Sequence, residues 1–130
     1  MGDKSLKKKE QTELLDEWQW RLGLWDWRIA LKPKCKPDEL ESEDAQGEVS
    51  YKEATKTAII RIVKPKYYEN RVIPFDWEEV LVHELMHLKM CLLEDKVEPL
   101  QERVAHILVD DLARALVDAK RSGTKQEEAE

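Results

Sequence analysis

The chain has 130 residues, of which 38% are charged, and its formal net charge is −6. This length suits a single domain, which can bury about two thirds of its unfolded surface without metal or disulfide cross-links. An acidic chain repels polyphosphates unless its positive charge is clustered, and the only basic run along the sequence is residues 4–9, so we expect no nucleic-acid partner. The sequence has no apolar run of membrane-spanning length and no signal-peptide core. The spacing of its two cysteines fits neither a metal-binding motif nor a disulfide framework. We therefore expect a cytoplasmic protein with free thiols and no membrane partner.

The first third of the chain predicts a helix and a strand. Apolar residues at helical spacing indicate a helix over residues 12–22, which Gly23 would end. Alternating apolar and polar residues then indicate a strand that stops at Pro33, with Trp25 and Trp27 on its buried face.

A charged, unpatterned stretch at residues 33–46 predicts an exposed loop. Two short strands, Gly47–Lys52 and Thr57–Val63, follow with a connection short enough for an antiparallel hairpin. Residues 64–74 predict a further polar loop. Together these patterns predict a three-stranded, mainly antiparallel sheet.

Two helices are predicted in the second half. Asp76 and Glu79 resemble a capping box that opens a helix extending to about Met90. Pro99 opens a long helix to about Lys120. Its predicted core face contains Val104, Ile107, Leu108, Leu112, Ala115 and Leu116.

These elements predict an α+β domain over residues 11–120, in the order helix, three strands, helix, helix. A disordered basic N-terminus, residues 1–10, and a disordered acidic tail, residues 121–130, would flank it.

The first of these two helices carries the motif HExxH at His83, Glu84 and His87. Residues four apart share a helix face, so both imidazoles can converge on one zinc ion, while Glu84 can reach a water molecule at that ion. This arrangement is typical of zinc hydrolases.

A catalytic zinc needs a third protein ligand. Cys91 is too far along a continuous helix, which leaves Glu98, Glu102 and His106 as candidates on or near the last helix. If the two helices pair antiparallel, Glu102 lies level with His87 and is the preferred ligand. Glu98 is the second choice, and His106 would contact a ligand or donate to the transition state.

With these residues, the chain resembles the smallest gluzincin metallopeptidases, the minigluzincins, and related short metallopeptidase-like proteins of phages. The resemblance covers roughly residues 14–117 and depends on three segments: residues 22–27 (LGLWDW), residues 83–88 (HELMHL), and Glu102 with Val104, Ala105 and His106. It implies a zincin-like fold, zinc ligands at His83, His87 and Glu102, and Glu84 as general base. Larger gluzincins often have an Asp four residues after the ligand glutamate, where this chain has His106.

The hydrolysis of peptide bonds in a peptide or protein substrate is the function expected from this resemblance. An extended substrate would pair with an exposed sheet edge, for which Thr57–Val63 is the candidate strand. Tyr67, Tyr68 or His106 would donate to the oxyanion. The alternative is a zinc-binding regulatory or scaffold protein with little turnover.

Overall fold

The computed structural model describes residues 6–42, 45–68, 74–91 and 99–129, except for the side chains of residues 99–102 and 124–129. Within these ranges the chain forms an α+β fold with three α-helices and a three-stranded sheet. Its elements are α1 (Lys8–Arg21), β1 (Arg28–Cys35), β2 (Gly47–Lys52), β3 (Thr57–Val63), α2 (Trp77–Lys89) and α3 (Pro99–Ala129). Short 3-10 helices at Pro37–Glu39 and Pro65–Tyr68 lie in the loops.

The sheet is mixed, with the strand order β1-β3-β2. β2 and β3 form the predicted antiparallel hairpin, but β1 pairs with β3 in parallel. The expectation of a mainly antiparallel sheet is therefore wrong. The most apolar strand, β3, takes the centre, where neighbours on both sides shield it. Consequently Thr57–Val63 is not an exposed edge, and the open edges belong to β1 and β2.

β1 is shifted along the chain from its predicted position. It begins at Arg28 and continues through Pro33, where its register with β3 is irregular between Lys32 and Cys35. An edge strand tolerates proline at such an irregularity because no pairing amide is lost there. Trp25, expected on the buried face of the strand, instead precedes it and is 72% exposed.

The main core lies between α2 and the inner face of the sheet. α2 contributes Leu81, Leu85 and Leu88, which recur at helical spacing on one face, and β3 contributes Ile60 and Ile62. Burial of each such side chain stabilises the fold by about 1.5–3 kcal/mol. α1 closes one end of this core with Leu15 and Trp18.

α3 packs through a different face from the predicted one. Its buried residues are Val109, Ala113 and Val117. Most of the predicted core face is exposed, with Val104 at 52%, Ile107 at 57%, Leu108 at 54% and Leu112 at 47%. Val109, Ala113 and Val117 are smaller than most residues of the predicted face, so α3 can lie closer to α2 when they face it.

α3 also continues past Lys120 to Ala129, through residues that the sequence pattern assigns to a disordered tail. Among the described helices, none is both long enough and apolar enough to cross a membrane.

The three helices are tied together by one buried carboxylate, Glu78, which is 6% exposed. Its Oε2 accepts hydrogen bonds of 2.6 Å from Trp18 Nε1 and from Lys120 Nζ, and its Oε1 accepts one of 3.1 Å from Arg121. Burial of a charge is tolerated only when it is paired and hydrogen-bonded in this way. The contacts fix how α1 and α3 lie against α2, and thereby where α3 meets the HExxH motif.

Candidate metal centre

The HExxH motif lies in the middle of α2. Asp76 caps this helix, because its side chain accepts a hydrogen bond of 3.2 Å from the Glu79 amide. With Leu81 and Leu85 turned into the core, His83 and His87 point to the opposite side and are half-buried. The two imidazoles therefore line an open cleft, as the motif predicts.

α3 adds a third imidazole to this pair. The ring centroids of His83, His87 and His106 lie 4.9 Å to 5.0 Å from one another. One potential ligand atom from each of the three residues lies within 4.8 Å of the others. The structure thus brings together three donors from two helices.

The donor set fits a zinc ion. Two nitrogens bound to one tetrahedral zinc at about 2.0–2.1 Å lie about 3.3 Å apart. Nε2 of His83 and Nε2 of His87 are 3.1 Å apart. Three imidazoles leave a fourth position open, which is the ligand number of catalytic zinc sites.

Asp110 orients the first of these histidines. The Nδ1 atom of His83 lies 3.4 Å from Asp110 Oδ1. A carboxylate on Nδ1 holds the proton there and leaves the Nε2 lone pair free to bind a metal, as in many zinc sites. Asp110 follows His106 by one helical turn, so one segment of α3 supplies both a ligand candidate and its support.

His83 is held in the neutral form that metal binding requires. Burial, together with the neighbouring His87 and His106, lowers its pKa to about 4 against the opposing effect of Asp110. A neutral imidazole carries the lone pair that coordinates zinc.

Glu84 is buried at 5% exposure and borders the same cleft. Gly47 lies against it at the start of β2, where an added Cβ would be 3.4 Å from Glu84 Oε2. The same Cβ would be only 2.7 Å from Val80 Cγ1 and 3.1 Å from Arg61 O. A glycine is therefore needed for β2 to approach α2 at this point.

The cleft has a volume of about 730 Å³ and extends from the three histidines along β2. Its wall includes Gly47, Val49 and Tyr51 of β2, which is an open edge of the sheet. Arg114 of α3 lies at its border, 3.4 Å from Asp110 and 4.0 Å from Glu79. Tyr51 and Arg114 are lining residues that the sequence interpretation did not select.

The predicted third ligand lies at the boundary of the described structure. Glu102 is on α3, one turn before His106, but its side chain is not among those described, and Glu98 lies outside the described residues altogether. The assignment of Glu102 or Glu98 therefore stays a prediction. His106, expected in a supporting role, is the α3 residue found beside both motif histidines.

The two tyrosines proposed as oxyanion donors lie elsewhere. Tyr68 is 6% exposed and donates a hydrogen bond of 2.8 Å to the carbonyl of Ala45, and its ring stacks on Phe75. Tyr67 is 40% exposed, and neither ring lines the cleft. Tyr68 belongs to a small separate core and Tyr67 is partly exposed to solvent, so the structure does not bring either tyrosine beside the three histidines.

A signal for Asp110 was present in the sequence. The resemblance implies an aspartate four residues after the third ligand, and that spacing holds for His106 and Asp110. The interpretation placed the ligand one turn earlier, so the aspartate was not found.

Comparisons with protein-family models, with curated proteins and with solved structures give no match to this chain. The structure itself shows a small α+β domain with a mixed three-stranded sheet and a three-histidine cluster between two of its helices.

Proposed function

We propose that this chain is a zinc-dependent metallopeptidase. The observation that carries the proposal is the convergence of His83, His87 and His106 in a cleft that also contains the carboxylate of Glu84. Three imidazole nitrogens and one adjacent base are the groups that hydrolytic zinc sites require.

Zinc in such a site polarises a carbonyl oxygen and lowers the pKa of water to about 7. Glu84 does not bind the ion in this proposal. Its carboxylate takes the proton from the attacking water. It then passes this proton to the leaving amine, so Glu84 assists both proton transfers of peptide hydrolysis. Its buried position against Gly47 keeps the carboxylate in one place while it does so.

The shape of the cleft favours an extended peptide as substrate. β2 pairs with β3 on one side only, and it also lines the cleft. An extended chain can add to such an edge through backbone hydrogen bonds, and this positions its carbonyls without regard to side-chain identity. In this proposal, the strand that an extended substrate would pair with is therefore β2, and not Thr57–Val63.

The experiment measures two quantities on the same preparations: zinc per chain, and the cleavage of an unstructured fluorogenic peptide. Wild-type protein should hold close to one zinc and cleave the peptide. Glu84→Gln should retain zinc and lose cleavage, because Glu84 acts on water. Glu13→Gln makes the same chemical change on the exposed side of α1 and should behave as wild type.

The two possible negative results of this experiment have different meanings. A chain that binds no zinc at neutral pH would contradict the metal centre itself. A chain that binds zinc through these histidines but shows no cleavage sensitive to Glu84 would instead support the zinc-binding regulatory or scaffold protein.

A further inference from the structure

The sheet has a second face, which the described helices do not cover. β3 turns Ala58, Ile60 and Ile62 to the core, so Thr57, Ile59 and Arg61 point the other way. Along β1, before its register irregularity, the same alternation leaves Arg28, Ala30 and Lys32 exposed on this side. We call this side the outer sheet face.

The strand register assembles these residues into a compact surface. Its three transverse rows are Arg28–Thr57–Lys52, Ala30–Ile59–Ser50 and Lys32–Arg61–Glu48. Neighbouring strands lie about 4.8 Å apart, so cations far apart in the sequence come within about 10 Å of one another.

The outer sheet face is strongly basic. Its three rows carry four cations, Arg28, Lys32, Lys52 and Arg61, against the single carboxylate of Glu48, whereas the whole chain has a net charge of −6. Arg61 pairs with Glu48 at 3.6 Å. Among the described residues, no carboxylate forms an ion pair with the other three cations. The charges of this acidic protein are therefore segregated.

A shallow groove of about 600 Å³ crosses this face. Arg28 and Lys52 stand at its two sides, in one row, and Thr57, Ile59 and Ser50 are among the residues that line it. Two cations that flank a groove with hydroxyl groups in its lining make a surface suited to phosphate oxygens.

We propose that the outer sheet face binds the sugar–phosphate backbone of a nucleic acid. The cations are spread both along and across the strands, which matches a partner with regularly repeated charge. The face is not an open strand edge, so a peptide cannot add to it through backbone pairing. The three rows contain no aromatic residue, although Tyr51 lines the groove, so charge and not base stacking carries the proposed binding and we expect little dependence on sequence.

This surface is not visible in the net charge or along the sequence. The expectation of no nucleic-acid partner considered the positive charge that is clustered along the chain, at residues 4–9. The two cations of β1 lie four residues apart, and they join Lys52 and Arg61 only when β2 and β3 align beside β1.

The test is fluorescence anisotropy with labelled oligo(dT), single-stranded and annealed to oligo(dA), in a series of KCl concentrations. Three unpaired cations predict a slope of log K against log salt of about −2 for the single strand. Arg28→Ala with Lys52→Ala should reduce the slope by about 1.4 and weaken binding about tenfold at low salt. Lys32→Ala is an independent single change and should reduce the slope by about 0.7.

The matched control removes two charges from the N-terminal basic run, Lys8→Ala with Lys9→Ala, which are exposed on α1. It should leave the slope unchanged. An equal or larger effect of the control, or no binding at low salt, overturns the proposal. Binding of fluorescent polyglutamate in preference to oligo(dT) overturns it in favour of an acidic protein partner. Because the charges and not the metal carry the interaction, a zinc chelator should have no effect.

Discussion

The imidazoles of His83 and His106 lie with their ring centroids 5.0 Å apart, one on α2 and the other on α3. This contact converts the two-donor motif of one helix into a three-donor set. It exists because Glu78 and the Val109–Ala113–Val117 stripe fix the position of α3 along α2. The proposed metal centre therefore depends on helix packing as much as on the motif.

The first prediction decides the third ligand. His106→Ala should weaken zinc binding by far more than the roughly 10 to 100-fold typical of residues that only support a ligand. Glu102→Ala, one turn earlier on α3, should have little effect. Competition with a chromogenic chelator measures both affinities. If the order of the two effects is reversed, Glu102 is the ligand that the resemblance implies, and His106 takes the supporting role.

The second prediction concerns the orientation of His83. Asp110→Asn keeps the size of the side chain but removes the carboxylate that lies 3.4 Å from His83 Nδ1. Zinc affinity should fall about 10 to 100-fold. Asp111→Asn, at the next and 65% exposed position, removes the same charge without contacting a histidine and is the control. Equal effects of the two changes would mean that Asp110 acts only through long-range charge.

The sequence predicted those features that depend on local pattern. The bounds of β2 and β3, the Asp76 cap and the inward leucines of α2 follow from residue periodicity and capping chemistry. Gly23 ends α1 as predicted, with φ +71° after the helix.

Features that depend on long-range packing were not predictable in the same way. α3 has two apolar stripes, and periodicity cannot tell which of them meets α2. The predicted core face included Val104 and Leu108, whereas the structure buries Val109 and Ala113. The choice between Glu102 and His106 as third ligand stays a prediction, because the Glu102 side chain is not among those described. The parallel pairing of β1 likewise depends on which strand takes the centre of the sheet.

The third prediction tests the close approach at Gly47. Gly47→Ala forces a Cβ to within 2.7 Å of Val80 Cγ1, so β2 must move away from α2. We expect a loss of about 1–3 kcal/mol of stability. Peptide cleavage should fall while zinc remains bound, because Glu84 loses its neighbour but the histidines do not. Gly123→Ala is the control, since nothing lies near its Cβ and a helical alanine should stabilise the chain by about 0.5–1 kcal/mol. Unchanged activity in Gly47→Ala would show that Glu84 does not depend on this contact.

The fourth prediction is a pH dependence of stability at the start of α2. Burial would raise the pKa of Asp76, but the hydrogen bonds from Arg121 and from the Glu79 amide outweigh it, and the pKa is lowered. The unfolded chain then binds the proton more readily than the folded one, so the stabilisation is complete above a pH of about 4 and is lost as the pH falls through the folded pKa. Asp76→Asn keeps a helix cap but removes the charge. Urea unfolding should show wild type more stable than Asp76→Asn near neutral pH and the two alike in strong acid. If the difference in unfolding free energy between wild type and Asp76→Asn stays constant with pH, the effect comes from the shape of the side chain and not from its charge.

The fifth prediction concerns Glu78, which joins the three helices. Glu78→Gln removes the charge between Lys120 and Arg121, whose side chains are 16% and 45% exposed. Lys120 keeps its ion pair with Glu17 and Arg121 keeps Asp76, so the loss comes from the weaker hydrogen bonds to the buried side chain, and we expect about 1–3 kcal/mol. Glu13→Gln, on the exposed side of α1, should change stability by less than about 0.5 kcal/mol.

Because α3 is positioned through this network, zinc affinity should also fall in Glu78→Gln, although Glu78 contacts none of the three histidines. Thermal unfolding at matched zinc concentration measures the first effect, and chelator competition at a temperature well below the transition measures the second. A destabilised variant that binds zinc as tightly as wild type would show that the apolar stripe of α3 alone holds His106 beside α2.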